Sequence, residues 1–82
     1  MDFTFAPHAL KQMLERDIHS DLVLEVLNNP QQIVSAKHER MAYQSKVTMS
    51  DGEYLLRLIV APDGTVVTLY LTSKVEKYWS KS

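Results

Sequence analysis

Residues 40–72 read RMAYQSKVTMSDGEYLLRLIVAPDGTVVTLYLT, and the apolar side chains of this stretch alternate instead of recurring at helical spacing. Two turn sequences, Ser50-Asp51-Gly52 and Pro62-Asp63-Gly64, divide it into three segments. The middle segment, residues 53–61, is apolar on both faces except at Arg57, which is typical of a central strand. With a short strand at residues 33–35, the pattern predicts an antiparallel meander of three or four strands. Its last strand would carry one row of alternating side chains: Val66, Thr68, Tyr70 and Thr72.

Two helices are predicted before this sheet. Pro7 suits the first turn of a helix that ends near Asp17, with one apolar stripe formed by Leu10, Met13 and Leu14. A second helix begins at His19 or Ser20 and ends before Pro30. Its predicted buried stripe is Leu22, Val23, Val26 and Leu27. Residues 3–5 can form a short strand, and residues 73–82 one helical turn or an extended tail. The predicted fold is α+β, with two N-terminal helices packed on a three- to four-stranded antiparallel sheet in a single domain, residues 1–82.

Composition narrows the function classes. A chain of eighty-two residues leaves little room for a dinucleotide-binding fold or a barrel of eight βα units. The absence of cysteine excludes a disulfide scaffold, a thiolate zinc site and a thiol nucleophile. No apolar stretch is long enough to span a bilayer, and Asp2 stands where a secretory signal carries basic residues. We therefore expect a cytoplasmic protein with no membrane partner.

The net charge of −1 predicts no strong attraction to nucleic acid, but the charges are unevenly distributed. Residues 1–36 contain two basic and five acidic residues, whereas residues 37–82 contain seven basic and five acidic residues. No cofactor or metal is expected. His8, His19 and His38 lack the close spacing of metal ligands, and the chain has only two glycines, too few for a phosphate-binding loop.

Arg57 is the most unusual residue of the predicted sheet, because it interrupts the run YLLRLIV at residues 54–60. A charge at such a position must reach water or be paired. A phosphate bound on an open sheet face would explain the arginine. An ion pair with a carboxylate, or an arginine stem that covers apolar surface, would explain it equally well.

Other candidates have a functional and a structural interpretation. His8, in the first helical turn, is either an acid/base or phosphate contact, or it closes the helix–sheet seam. Tyr70 and Thr72 form either a shallow site or a solvated face. The charged run KHER at residues 37–40 is interpreted as a solvated connection. The tail carries four residues that either contact phosphates and bases or form an ordinary terminus: Lys74, Lys77, Tyr78 and Trp79.

Three stretches together resemble a known family. Residues 5–18 read FAPHALKQMLERDI, residues 23–30 read VLEVLNNP, and residues 66–74 read VVTLYLTSK, followed by Lys77-Tyr78. In order and spacing they are similar to the bacterial family called domain of unknown function 4258. That family is generally placed with the RelE-like toxins, in the barnase, EndoU and colicin RNase group. The resemblance implies a RelE-like α+β domain, metal-independent RNA cleavage and a toxin held inactive by an antitoxin.

The resemblance also implies which residues form the site. His8 and Lys74 would be the general acid and base in either order, with Tyr78 as a hydrogen-bond donor and Arg57 offsetting the charge of the phosphate. The resemblance implies further contacts with substrate at Arg16, Tyr70 and Thr72. Lys77, from the basic and aromatic tail, is expected to contact substrate as well.

Three functions stay open from the sequence. The first is an endoribonuclease toxin, with RNA as its substrate and an antitoxin encoded next to it as its partner. The second is a non-catalytic binding or regulatory module of the same fold. The third is a structural homodimer that pairs through an exposed strand edge.

Overall fold

Eight elements follow one another in the computed structural model, which describes residues 2–81. They are β1 (Thr4–Phe5), α1 (Pro7–Glu15), α2 (Ser20–Asn28), β2 (Gln32–Ser35), β3 (Met41–Met49), β4 (Gly52–Val60), β5 (Thr65–Thr72) and α3 (Val75–Tyr78). The five strands form one sheet in the order β1-β5-β4-β3-β2. Met1 and Ser82, the ends of the predicted domain, lie outside the described residues.

The α+β class is confirmed, and so is the central position of β4, but the prediction of a purely antiparallel sheet of three or four strands is wrong. Strands β2 to β5 form an antiparallel meander, whereas β1 adds a fifth strand that runs parallel to β5. Thr4 pairs with Thr65, and Phe5 pairs with Val66. A two-residue strand is too short to show a period, so its pairing could not be predicted from alternation.

Helix α1 starts and ends as predicted but buries a different face. Pro7 occupies its first turn, and Asp17 adopts the left-handed conformation with φ 53° just after it. The buried residue is Ala9, whereas Leu10 is 48% exposed and Leu14 84% exposed. The predicted Leu10–Met13–Leu14 stripe is therefore wrong except at Met13, which packs against the core. The small Ala9 side chain lets α1 approach β5 closely, and this contact rotates the two leucines toward solvent.

Helix α2 buries Val23, Val26 and Leu27 as predicted, with Leu22 packed partly against the core. Both helices cover one face of the sheet. The core between these layers also contains Ile18 from the loop before α2 and the helix-facing side chains of the two central strands: Leu56, Leu58, Val60, Val66 and Leu69.

A β-bulge in β5 corrects the predicted row of side chains on that strand. Ile59 pairs with Thr68 while its neighbour Val60 pairs with Val66, so one extra residue is inserted in β5 at this point. The insertion reverses the alternation. Val66 therefore joins the helix-facing core, while Tyr70 lies on the opposite face of the sheet with Arg57.

Candidate functional site

A row of four polar side chains crosses the sheet on the face opposite α1 and α2. Gln32 pairs with Gln44, Gln44 with Arg57, and Arg57 with Tyr70, on four neighbouring strands. Residues paired across adjacent strands point to the same face, so the row is continuous from β2 to β5. The register of the meander alone brings these side chains together.

Arg57 is buried within this row, with only 8% of its surface exposed. Its Nε donates to Gln44 Oε1 at 2.9 Å, and its Nη1 donates to the Tyr70 hydroxyl at 2.6 Å. The guanidinium carbon also lies 4.3 Å from the centre of the Tyr78 ring, a cation–π distance. All three partners are uncharged, and over residues 2–81 the ion pair that forms is Lys81 with Glu76. The charge of Arg57 is thus held in place without being neutralised.

The second amino group of Arg57, Nη2, forms no hydrogen bond with the described residues. The hydrogen bonds of this side chain use Nε and Nη1. In the described part of the chain, every fully buried side-chain nitrogen or oxygen has a hydrogen-bond partner. Nη2 is therefore accessible, and Arg57 is one of the residues that line the cavity. A guanidinium fixed on two sides and open on the third is suited to bind an anion.

This cavity, here called the Arg57 cavity, has a volume of about 660 Å³. It lies between the β2–β3 connection, strands β4 and β5, and the segment after β5. Its lining is Ser35, Ala36, Lys37, His38, Arg40, Arg57, Ile59, Tyr70, Lys77 and Tyr78. Four of these residues carry positive charge, and the lining includes no aspartate or glutamate. The electrostatic field inside the cavity consequently favours anions.

The β2–β3 connection contributes two of the four charged lining residues, Lys37 and Arg40, together with His38, through a tight turn. His38 and Glu39 both have positive φ, 61° and 60°, and Arg40 N donates to Lys37 O at 3.3 Å. Two successive left-handed residues are the geometry of a type I′ hairpin turn. The interpretation of KHER as a solvated connection did not indicate this role, because the sequence alone does not show that the turn lies beside Arg57.

Tyr78 is tuned by the charges around it. Partial burial alone raises the pKa of Tyr78, but Lys77, the Tyr70 hydroxyl and Arg57 together outweigh burial and lower the pKa below its ordinary value of 10.0. Lys77 acts both as a nearby charge and as a hydrogen-bond donor. The Tyr78 hydroxyl therefore loses its proton more readily than an ordinary tyrosine.

The segment after β5, residues 73–81, is here called the C-terminal tail, and the two glutamines attach it to the sheet. Gln44 Nε2 donates to Tyr78 O at 3.1 Å. Gln32 Nε2 donates to Ser80 O at 2.7 Å, while Ser80 N donates back to Gln32 Oε1 at 3.0 Å. Lys46 Nζ lies 4.2 Å from the centre of the Trp79 ring. The tail thereby places the Tyr78 ring on Arg57.

Four of the eight residues predicted for the site line the Arg57 cavity: Arg57, Tyr70, Lys77 and Tyr78. The other four do not. His8 is exposed on α1, in the helical layer, with its Nε2 3.4 Å from Gln12 Nε2. Arg16 lines a separate depression beside Tyr54. Lys74 is exposed before α3, where its backbone N donates to Thr72 Oγ1 at 3.1 Å.

The structure thus separates His8 and Lys74 from the Arg57 cavity. It also reveals Gln44 and Gln32, which the sequence did not single out. A glutamine is not unusual on a strand whose polar and apolar residues alternate. Only the register of the two glutamines with Arg57 would have indicated that they belong to this site.

Within residues 2–81, no group of three or more His, Cys, Asp or Glu side chains is placed to hold a metal ion. Nor is any helix of that range long and apolar enough to cross a membrane.

The fold and the cavity define a class: an α+β domain with α1 and α2 on one face of its sheet and a cationic cavity on the other. The chain belongs to the family described as Domain of unknown function (DUF4258), whose family model matches residues 5–71. Comparison with curated proteins and with solved structures produced no match. The matched range includes Arg57 and Tyr70 but ends before Lys77 and Tyr78, so part of the cavity lies beyond it.

Proposed function

We propose that this protein is a metal-independent endoribonuclease of the RelE-like type, which binds RNA in the Arg57 cavity. One observation carries the proposal. The buried guanidinium of Arg57 has only neutral partners and opens into a cavity whose charged lining residues are all basic. A phosphodiester supplies the negative charge that this arrangement lacks, and tyrosine rings beside it can stack on bases.

RNA supplies its own nucleophile for the proposed cleavage. The ribose 2′-oxygen attacks the adjacent phosphorus, and the bond from phosphorus to the 5′-oxygen of the next nucleotide breaks. A general base takes the 2′-hydroxyl proton, and a general acid protonates the leaving 5′-oxygen. The products are a 2′,3′-cyclic phosphate and a 5′-hydroxyl. The protein has to position the strand, move two protons and stabilise the charge on phosphorus.

The lining residues can be assigned to these roles. Tyr78 is the acid, because its lowered pKa makes its neutral hydroxyl a better proton donor than an ordinary tyrosine. His38 is the base, because an imidazole nitrogen can accept a proton and this residue lines the same cavity. Arg57 and Lys77 offset the charge that develops on the phosphate oxygens. This assignment replaces the expected pair of His8 and Lys74.

The direct test is cleavage of a labelled single-stranded RNA in the presence of EDTA. Wild-type protein should release fragments that end in a 2′,3′-cyclic phosphate. Arg57→Ala and Tyr78→Phe should each lower the rate by about 100-fold or more, the usual loss when a charge-stabilising or acid–base group is removed. Lys11→Ala, on the exposed side of α1, removes a basic residue outside the cavity and should cleave like wild type. Cleavage that requires a divalent ion contradicts the proposal.

A non-catalytic binding or regulatory module is the second candidate. It is favoured by the position of His8 and Lys74 outside the cavity lining, because binding needs the cationic groups without an acid–base pair. Wild-type protein that binds RNA through Arg57 but leaves it intact would establish this function.

The family resemblance extends the proposal to a toxin–antitoxin pair in the cytoplasm. Expression of the wild-type chain should arrest bacterial growth, and co-expression of the gene next to it should restore growth. Arg57→Ala should not arrest growth, although it is produced to the same level. A homodimer formed through the edge strands β1 or β2 stays a prediction, to be checked by sedimentation.

A further inference from the structure

We infer that Gln44 and Gln32 are positioning residues of the Arg57 cavity, forming an uncharged relay that fixes the guanidinium while leaving its charge for an anion. The same relay attaches the C-terminal tail that carries Tyr78. The inference deepens the proposed function and rests on one part of it, the binding of a negatively charged group at Arg57.

Gln44 has one arrangement that satisfies its neighbours. It is completely buried. Its Oε1 accepts from Arg57 Nε, while its Nε2 donates to Gln32 Oε1 at 2.8 Å and to Tyr78 O at 3.1 Å. An arginine can only donate and a backbone carbonyl can only accept, so exchanging the amide oxygen and nitrogen would break the bonds on both sides. The two bonds of Nε2 therefore hold Oε1 against Arg57.

Gln32 continues the relay to the tail in the same way. Its Oε1 accepts from Gln44 Nε2 and from Ser80 N, and its Nε2 donates to Ser80 O. The side-chain amide thus pairs with both backbone groups of Ser80, as a neighbouring strand would. Through Gln32 and Gln44, attachment of the tail and orientation of Arg57 depend on each other.

The lack of charge at position 44 is the informative feature. Glutamate has the same length, and its carboxylate would accept a stronger hydrogen bond from Arg57. Buried cations are usually paired with such an acid. A carboxylate there would, however, cancel the charge of Arg57 inside the cavity and lose the donor that reaches Tyr78 O. The amide keeps the geometry and leaves the positive charge uncompensated, which benefits only a ligand that brings negative charge.

The experiment compares wild type with Gln44→Glu and with a charge-matched control, Gln12→Glu on α1. Inorganic phosphate is titrated while the Nε–Hε resonance of Arg57 is followed by NMR, and thermal unfolding is measured on each protein. Gln44→Glu, once its melting curve shows a folded protein, should bind phosphate at least about tenfold more weakly than wild type, because an opposite charge lies beside the guanidinium. The pKa of Tyr78 should be higher in this variant. Gln12→Glu should match wild type in affinity.

A second variant tests the relay if Gln44→Glu fails to fold. Gln32→Ala leaves every charge of the cavity unchanged but removes the pairing with Ser80. This variant should shift the fluorescence emission of Trp79, the one tryptophan of the chain. The same variant should also bind phosphate about threefold or more weakly than wild type. A shift in emission with unchanged affinity overturns the coupling between tail and site.

Two results overturn the inference as a whole: phosphate affinity of Gln44→Glu within twofold of wild type, or no response of Arg57 to phosphate in wild type. Its failure is separable from that of the proposed function. If wild type binds phosphate at Arg57 but neither binds nor cleaves RNA, the proposed function fails and the relay stands.

Discussion

Arg57 is held by neutral hydrogen-bond acceptors and by an aromatic ring, so its contributions to folding and to binding can be separated. Arg57→Ala leaves Gln44 Oε1 and the Tyr70 hydroxyl without their donor and removes the cation under the Tyr78 ring. Buried polar groups left unpaired cost about 1–3 kcal/mol, so we expect the free energy of unfolding to fall by that amount. Urea denaturation measures it, with Lys11→Ala, at an exposed site, as a control that should change it by less than about 0.5 kcal/mol.

Arg57→Lys completes this prediction. It keeps the charge but removes the forked geometry that bonds Gln44 and Tyr70 at once. RNA affinity should therefore lie between that of wild type and that of Arg57→Ala. Equal affinity of all three proteins would show that Arg57 only supports the fold.

The tyrosines give a second prediction at the scale of residues. Lys77, Tyr70 and Arg57 outweigh burial and lower the pKa of Tyr78 below 10.0, whereas the hydrogen bond from Tyr54 to Asp51 (2.8 Å), together with the charge of that carboxylate, raises the pKa of Tyr54 above 10.0. In a pH titration followed by NMR of the tyrosine rings, Tyr78 should ionise before Tyr54. Arg57→Ala should raise the pKa of Tyr78, while Lys11→Ala should leave it unchanged.

The lowered pKa of Tyr78 also fixes the sign of a stability effect. Between that pKa and the ordinary value of about 10, the unfolded state binds more protons at this group than the folded state does. The contribution of Tyr78 to stability therefore rises with pH across this window, is complete above it and is absent below it. The free energy of unfolding of wild type minus that of Tyr78→Phe, measured by denaturation at increasing pH, should show this rise. A difference that shrinks with pH would contradict it.

The sequence identified Arg57 but not its supports, for a physical reason. A charge inside an apolar strand is anomalous whatever surrounds it, so Arg57 could be singled out by itself. Gln44 lies among alternating polar residues, a pattern typical of a solvated face. Its burial comes from the C-terminal tail folding over that face, a long-range contact that local alternation does not encode.

At the scale of elements, the two helices and the meander were predictable because each has a period of its own. What could not be predicted is how each element is rotated or interrupted. Helix α1 offers two apolar faces, and the contact through Ala9 selects the one that leaves Leu10 and Leu14 exposed. In β5 a single bulge moves Val66 to the core. Without that inserted residue, Val66 and Tyr70 would share a face.

The β3–β4 hairpin gives a prediction that concerns the backbone alone. Gly52 has φ 141°, a conformation that other residues rarely adopt, and a Cβ placed there meets no atom within 4 Å. Gly52→Ala should therefore lower the free energy of unfolding by about 1–3 kcal/mol through strain, with no steric clash. Chemical denaturation measures the loss. Ser50→Ala, at an exposed position of the same turn, is the control, and a Gly52→Ala protein as stable as that control would contradict the argument.

For the whole molecule, net charge was a poor guide to the surface, because the charges are separated by the fold. The acidic excess belongs to residues 1–36, which form β1, the two helices and β2. The basic excess belongs to residues 37–82, which contribute eight of the ten residues that line the cavity on the other face. A net charge of −1 is thus compatible with a cavity lined by Lys37, Arg40, Arg57 and Lys77. The distribution of charge, which needs the topology, is what a ligand meets.

This separation of charge predicts how RNA binding should respond to salt. Each phosphate neutralised by a cation releases bound counterions, and for single strands the logarithm of affinity falls with the logarithm of salt concentration by about 0.7 per phosphate. With three or four cavity cations engaged, the slope should be about −2 to −3. Lys77→Met should make it shallower by about 0.7, whereas Lys11→Met, on the helical face, should leave it unchanged. Fluorescence anisotropy of a labelled RNA at increasing KCl measures these slopes. A wild-type slope near zero, or the same decrease in both variants, would show that RNA does not bind in the Arg57 cavity.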